Sequence, residues 1–416
     1  MNNSHPARKL RRPLGAALGF LPALMAFAYA PSSSAGATFK IDDTKWLSIG
    51  AGLRTSFDAQ EDGTAHGTDW SNNFNLDNMR LYVNAQVYKY IKLEFNTEVK
   101  AGTSSSGDSI RVLDAIGKFE FDPAFNIWGG RMLVPAERRE LNGPFYSAIY
   151  DIYSSGTPFE SSDFNTQFES NGTSAGAAGR DQGATIWGSV YEGRAQYAVG
   201  VFQGLVNGAN QNDDLLYAQR LSYNFLDVEK NPGYYTSGTY YGKGGDILTL
   251  AVSNQYQYHG AGTVNDPGSF RGTAVDLLYE QNMPNNAGVL TFNGEYKNYG
   301  ITGFNMASRK LVTNGITNGF AMFEGQSFDT SVMYLVPGKV GIGQFQPYLR
   351  YVEVMPIDSS DRNTFEGGLN YIIDGHNAKI MLMYNYGDLA TKGLNYTDTA
   401  SGPHVSSVRL GLQLQI

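Results

Sequence analysis

Three arginines stand in the longest connector of the sequence, and their side chains could bind anions. Arg138 and Arg139 belong to "PAERRELNGPFY", and Arg180 belongs to "GRDQG" further along. A guanidinium donates paired hydrogen bonds to carboxylate or phosphate, so together the three would form a positive strip that attracts anions. Acidic residues stand close by in the sequence: Glu137, Glu140 and Asp181. The alternative is therefore that the arginines pair with these acids and only tie the connector to a wall.

Further charges fall at alternate positions of neighbouring segments. "LSIGAGLRTSF", "MRLYVNAQVYK" and "NIWGGRMLV" place three cations on the polar, inward face, where they would join the arginine strip: Arg54, Arg80 and Arg131. "IKLEFNTEVK" and "VLDAIGKFEF" contribute three acids: Glu94, Glu98 and Glu120. Acids that face the arginine strip would set a transverse field across a wet pore. The alternative is that they are solvated wall residues with no particular role.

Residues for catalysis or metal binding are scarce. Cys is absent, which excludes disulfides, thiol nucleophiles, Cys-ligated zinc and c-type haem. The chain has five His residues, and no two of them have the i, i+4 spacing of a metal-binding helix. We find no combination of His with Asp or Ser that predicts a catalytic triad at strand ends. The sequence therefore predicts no enzyme, no metal site and no cofactor.

The segments that carry these charges alternate strictly between apolar and polar residues. The C-terminal "VSSVRLGLQLQI" places Leu410, Leu412, Leu414 and Ile416 on one face and Arg409, Gln413 and Gln415 on the other. We count about sixteen such segments of roughly ten residues, the length of a tilted strand that crosses a bilayer. The pattern predicts an all-β fold: a transmembrane antiparallel β-barrel whose last strand closes against its first.

The N-terminus predicts export. A basic cluster, an acid-free apolar run and a small-residue stretch form a signal peptide over residues 1–37, with cleavage after Ala37. Its removal takes away four basic residues and no acid, which leaves 27 Lys and Arg against 39 Asp and Glu. A net charge of −12 argues against nucleic acid as a partner. The mature barrel, residues 38–416, is predicted to lie in a bacterial outer membrane.

Connector lengths alternate along the chain. Long loops are expected after residues 57, 100, 135, 204, 258, 299, 354 and 387 on the outer side, with tight turns on the periplasmic side. The longest loop, about 135–179, is predicted to fold into the lumen as the constriction, because a sixteen-stranded barrel is too wide for side chains to fill. One connector on the short side, "LDVEKNPGYYTSGTYYGKGG", is too long for a tight turn.

Five stretches carry a family resemblance. "DNMRLYVNAQVYKYIKLEFNTEV", "IWGGRMLVPAERRELNGPFY", "RDQGATIWGSVYEGRAQYAVGVFQG", "PGYYTSGTYYG" and "IDGHNAKIMLMYNYG" resemble outer-membrane porins of the phosphate-selective porin O/P superfamily. The resemblance implies a sixteen-stranded passive channel, a homotrimer, with a loop folded into the lumen. Phosphate selectivity is not carried over, because the inward positions mix Lys and Arg with Asp and Glu instead of being strongly basic.

These observations predict a porin through which small hydrophilic solutes or ions, anions among them, diffuse passively. Its surroundings would be the lipid bilayer and lipopolysaccharide. The alternative from another class is a barrel that sheathes a partner, such as a multihaem cytochrome in an electron conduit. Composition does not separate the two, but a sheath should lack an inserted constriction loop.

Overall fold

The computed structural model describes residues 36–100, 109–152, 164–168, 174–303, 312–313, 316–317, 324–357, 361–389 and 404–416. The predicted signal peptide up to residue 35 lies outside these ranges, as do parts of the predicted constriction loop. The strands are β1 (Ala37–Lys40), β2 (Trp46–Gln60), β3 (Asn73–Tyr88), β4 (Ile91–Lys100), β5 (Ser109–Asp122), β6 (Phe125–Leu133), β7 (Phe164–Phe168), β8 (Ser174–Ala178), β9 (Arg180–Val190), β10 (Ala195–Phe202), β11 (Leu216–Asn224), β12 (Ile247–Gly262), β13 (Pro267–Asn282), β14 (Val289–Thr302), β15 (Val312–Thr313), β16 (Ile316–Thr317), β17 (Gly325–Leu335), β18 (Gln344–Pro356), β19 (Arg362–Asp374), β20 (Ala378–Gly387) and β21 (Val405–Gln415). The helices are α1 (Arg138–Tyr146) and a 3-10 turn (Pro284–Asn286).

Sixteen of these strands form one closed antiparallel barrel, as the alternation predicts. They are β2–β6, β9–β14 and β17–β21, each paired with its neighbours along this order. The barrel closes where β21 pairs with β2, in the register Leu414 with Leu53. At the end of that seam Ile416 and Ala51 exchange two backbone hydrogen bonds of 2.9 and 3.1 Å. The C-terminal strand thus removes the free edge that an open sheet would present to lipid.

The wall is apolar outside and polar inside, the reverse of a water-soluble domain. Leu221, Leu349 and Leu410 are 63%, 66% and 49% exposed on the outer face. On the inner face Lys379 and Gln413 are fully buried. Apolar side chains that project outward from a closed sheet suit a hydrocarbon environment, because lipid replaces the packing that a core would supply.

The connectors alternate between the two ends of the barrel. The turns between β3 and β4, β5 and β6, and β19 and β20 are short, at residues 89–90, 123–124 and 375–377. The long loop predicted after residue 258 is wrong in extent, because β12 and β13 continue until only residues 263–266 connect them. None of the described helices has the length and apolar character needed to cross a bilayer.

Candidate functional site

Residues 134–152, here called the inner segment, lie against the inward-facing side chains of the wall. The segment begins after β6, where the Val134 amide donates to the Gly179 carbonyl at 2.8 Å. Helix α1 forms its middle, and Gly143, with a φ of 58°, interrupts that helix just before Pro144. Contacts of its first half reach β11, β13 and β14, and contacts of its second half reach β2, β3 and β18–β21. The inner segment therefore touches widely separated strands of the same wall.

Arg138 links the inner segment to two acids that lie far away in the sequence. Its guanidinium binds the Glu229 carboxylate through two hydrogen bonds of 2.6 and 2.8 Å. It also lies 3.3 Å from the Asp276 carboxylate on β13, and it donates to the Ser237 carbonyl at 2.9 Å. Such a two-pronged pair fixes orientation as well as charge.

Electrostatics keep the pair of Arg138 and Glu229 ionised. Burial opposes the charge of Arg138, but the Glu229 and Asp276 carboxylates outweigh it and raise the pKa of Arg138 above its ordinary value. Burial likewise opposes the charge of Glu229, yet Arg138 outweighs it and lowers the pKa of Glu229 to about 2. Both groups are therefore charged at neutral pH.

The residues on either side of Arg138 face β14 and β17. Glu137 pairs with Lys297 at 2.6 Å. Arg139 forms an ion pair with Asp329, and its backbone amide donates to Glu295 at 3.4 Å. The first half of the inner segment is therefore held by wall charges of both signs.

The second half is held mainly through its backbone carbonyl groups. Wall side chains donate to five successive or nearly successive carbonyls, in these pairs: Gln413 to Phe145 at 2.8 Å, Lys379 to Ser147 at 2.8 Å, Asn370 to Ala148 at 3.1 Å, and Arg350 to Asp151 and Ile152 at 2.8 and 3.0 Å. Arg54 donates to the Tyr150 carbonyl and lies over the Tyr150 ring. Donors on the barrel wall therefore hold residues 147–152, which form neither helix nor strand.

Two further arginines of the predicted site are also paired. Arg180, at the start of β9, binds Asp114 of β5 at 2.9 Å. Arg80 binds Glu98 at 3.0 Å and lies 5.3 Å from the ring centre of Phe145 in the inner segment.

The predicted acidic wall is paired with cations of adjacent strands. Glu94 binds Lys118, and Glu120 binds Lys92 at 2.5 Å. Glu98 accepts from Arg111 at 2.6 Å besides its bond to Arg80. These acids therefore neutralise wall cations next to them.

Strand β6 runs in the opposite phase to the one predicted, so Arg131 faces outward. Arg131 lies opposite Ala115, an exposed residue between the buried Asp114 and Ile116. Trp128, on the other face of this strand, is fully buried inside. A shift of one residue turns every side chain of a strand to the other face. The inward position of Arg131 was wrong because alternation gives two sets but not which set faces the lumen.

A cleft lies between the inner segment and strands β14, β17 and β18. Arg138, Arg139 and Arg350 line it together with Asp151 and Glu295. The Asn142 amide also lines it, and its Oδ1 atom has no hydrogen-bond partner in the described part of the chain. The cleft is therefore polar and carries charges of both signs.

No group of His, Cys, Asp and Glu in the described ranges could hold a metal ion. The run from Gly172 to Gly176 matches the G-x-S-x-G pattern of hydrolase nucleophiles. That pattern needs a sharp turn between a strand and a helix, whereas its Ser174 begins strand β8 of a hairpin.

Sequence reasoning missed several residues of the site. Asp329 lies on the inward face of β17, where the strand pattern could have placed it. The alternation did place Gln413 on the polar face of β21, but it did not assign Gln413 to the site. Glu229 lies in a connector without periodicity, and no signal in the sequence pairs it with Arg138.

Neither a protein-family model nor a curated protein matches this chain. Similar solved structures exist. OmpT of Vibrio cholerae in its trimer form is 11% identical, with a TM-score of 0.50, covering 90% of this chain and 100% of that one. Salmonella typhi OmpF in complex with daunomycin is 11% identical, with a TM-score of 0.51 and coverage of 90% and 98%. Pseudomonas putida OprB at high pH is 9% identical, with a TM-score of 0.51 and coverage of 89% and 94%.

At these identities the likeness concerns the fold alone. The chain shares the closed, porin-like β-barrel of these proteins over nearly its whole described length.

Proposed function

We propose that this protein is an outer-membrane porin, through which small hydrophilic solutes or ions diffuse passively between the inner segment and the wall. The observation that carries the proposal is the inverted wall, with exposed Leu349 and Leu410 outside and buried Lys379 and Gln413 inside. Such a wall needs lipid around it and polar partners, from protein or water, within. Passage down a gradient requires no cofactor, and no reaction is proposed.

The cleft beside α1 is the proposed route, with Arg138 and Arg139 as the residues of the predicted arginine strip that line it. Each has a carboxylate partner, so we expect weak ion selectivity and no strong preference for phosphate. Arg54, Arg80 and Arg180 then act by fixing the inner segment and the wall near it, because their partners are Tyr150, Glu98 and Asp114.

Three finer parts of the proposal rest on the sequence. Residues 1–37 are a signal peptide removed on export, residues 135–179 form the constriction loop, and the mature chain assembles as a homotrimer surrounded by lipopolysaccharide. A trimer form is known for the similar OmpT of Vibrio cholerae. Membership of the phosphate-selective O/P superfamily remains a hypothesis.

The sheath alternative is less favoured. A barrel that encloses a partner protein needs an open lumen, and here the inner segment and the connector between β11 and β12 already contact the inner wall.

Reconstitution of the mature, folded protein into a planar bilayer tests the proposal. We expect discrete current steps, with a reversal potential under a salt gradient close to that of an unselective pore. Arg139→Gln should move that potential toward cation preference, and Lys92→Gln, which removes a cation paired on the wall away from the cleft, is the matched control. Folded barrels that give no current steps would refute the proposed function.

A further inference from the structure

The connector between β11 and β12, residues 225–246, turns into the barrel from the end opposite the long loops. At its base the Asp227 amide donates to the Asp246 carbonyl at 2.8 Å, so the two strands are already paired there. Its middle, residues 234–241, is largely buried, and Tyr234 and Thr239 have no exposed surface. A connector of this length is unusual at this end, where the other turns are short.

A single wall carboxylate anchors residues 239–242 of the connector. Glu280 of β13 is fully buried. It accepts from the Thr239 hydroxyl at 2.6 Å, the Tyr240 amide at 3.0 Å and the Gly242 amide at 2.8 Å. Three donors on one carboxylate fix both the position and the direction of this part of the chain.

The connector also packs on aromatic side chains of the inner wall. The Tyr234 and Tyr235 rings lie 5.2 and 5.5 Å from the Trp128 ring. On the other flank the His376 imidazole lies 3.0 Å from the Ser237 hydroxyl and 2.9 Å from the Thr239 carbonyl. The reversed phase of β6 brings Trp128 into this contact.

The tip of the connector meets the inner segment directly. Glu229 binds Arg138, and the Thr236 hydroxyl donates to the Arg138 carbonyl at 2.6 Å. The Gly238 amide donates to the Tyr146 carbonyl at 2.9 Å. A Cβ atom added at Gly238 would lie only 2.7 Å from the Ala148 amide nitrogen, so the two backbones touch. Both ends of α1 are thus held by one connector.

We propose that the β11–β12 connector is a second constriction element, which supports the inner segment from the opposite end of the barrel and sets the width of the pore with it. Glu229 is the positioning residue, because its pair with Arg138 joins the two elements. The proposal rests on the proposed function, since width is measured as ion flow. It predicts that selectivity and size limit depend on a connector that touches the cleft only at Gly238.

The direct test shortens the connector. Residues 228–245 are replaced by Asn-Gly, which closes a two-residue hairpin between the already paired Asp227 and Asp246. We expect a single-channel conductance about twofold or more above that of the intact protein, because ion flow grows with the open cross-section. An unchanged conductance in folded barrels would overturn the proposal.

A point variant tests the same link should the shortened barrel fail to fold. Glu229→Gln keeps the shape but replaces charged hydrogen bonds by neutral ones, and we expect transitions to larger subconductance states to become about tenfold more frequent. Asp388→Asn removes the same charge from a buried carboxylate that accepts from the Asn363 amide and does not line the cleft, and it should leave the current traces unchanged. Equal current traces for Glu229→Gln and Asp388→Asn would overturn the inference.

The outcomes separate the two proposals. An intact protein that conducts, with a shortened variant of equal conductance, refutes the connector's role and leaves the porin function standing. An intact protein that is silent, with a shortened variant that conducts, refutes the proposed function and supports the connector as an element that fills the lumen.

Discussion

Replacing Arg350 should release the far end of the inner segment. Its guanidinium is buried and donates to the Asp151 and Ile152 carbonyls at 2.8 and 3.0 Å, while the Asp329 carboxylate holds it at 2.5 Å. Hydrogen bonds from charged groups contribute about 1.5 to 3 kcal/mol each, so the two carbonyl bonds represent roughly 3 kcal/mol at the lower limit. That free energy corresponds to a factor of about 100 in the equilibrium between held and released segment ends.

The variant Arg350→Gln keeps a polar side chain but is too short to make both carbonyl bonds. We expect openings to larger conductance states to become roughly a hundredfold more frequent. Since Arg350 also lines the cleft, loss of its charge should shift the reversal potential toward cations. Arg350→Lys keeps the charge without the forked geometry. It should therefore restore the reversal potential but not the low frequency of openings to larger conductance states.

Single-channel recording under a salt gradient provides both readouts. Lys92→Gln is the matched control, because Lys92 pairs with Glu120 on the wall and contacts neither the inner segment nor the cleft in the described structure. If Arg350→Gln and Lys92→Gln give the same single-channel current traces and the same reversal potentials, the reasoning that wall donors hold the inner segment is refuted.

Three other predictions test the wall, the reversed strand and the buried imidazole. Leu410→Arg places a charge on the lipid face near the middle of β21 and should lower the free energy of unfolding in a bilayer by about 2 to 4 kcal/mol in denaturant titrations; no loss would contradict a lipid-facing position. Trp128→Ala should cost about 3 to 5 kcal/mol in the same assay, whereas an outward girdle residue would cost much less. Burial, with Lys379 nearby, lowers the pKa of His376 to about 3, so the unfolded chain binds a proton that the folded chain does not. The contribution of His376 to the free energy of unfolding should therefore fall by about 1.4 kcal/mol per pH unit as pH drops below about 6.5 toward 3, and His376→Asn should reduce the measured slope by that amount.

The sequence predicted the barrel well because one physical rule dominates it. Every strand of the barrel has lipid on one side and polar surroundings on the other, so side chains must alternate, and β21 does so from Val408 onward. The same rule predicted sixteen strands and closure at the C-terminal strand, because an unpaired edge is too costly in lipid.

Prediction failed where the alternation rule does not apply or does not say which face is inward. In β6 both alternating sets contain polar and aromatic residues, so nothing local indicated that Trp128 and not Arg131 faces the lumen. The β11–β12 connector has no periodicity, because its conformation is set by contacts with Glu280, Trp128 and Arg138 rather than by a repeating environment.

The arginines of the site show most clearly what the sequence determines and what the tertiary structure decides. The sequence alone determined that Arg138, Arg139 and Arg180 are present, that they follow or precede barrel strands, and that acids stand near them. Only the tertiary structure decided their carboxylate partners, which are Glu229 and Asp276, Asp329, and Asp114. Strand register and barrel closure bring together residues as far apart as Arg138 and Asp276, and register depends on the whole sheet. The local sequence therefore supplies the charged side chains of the site, and the tertiary structure decides which of them pair.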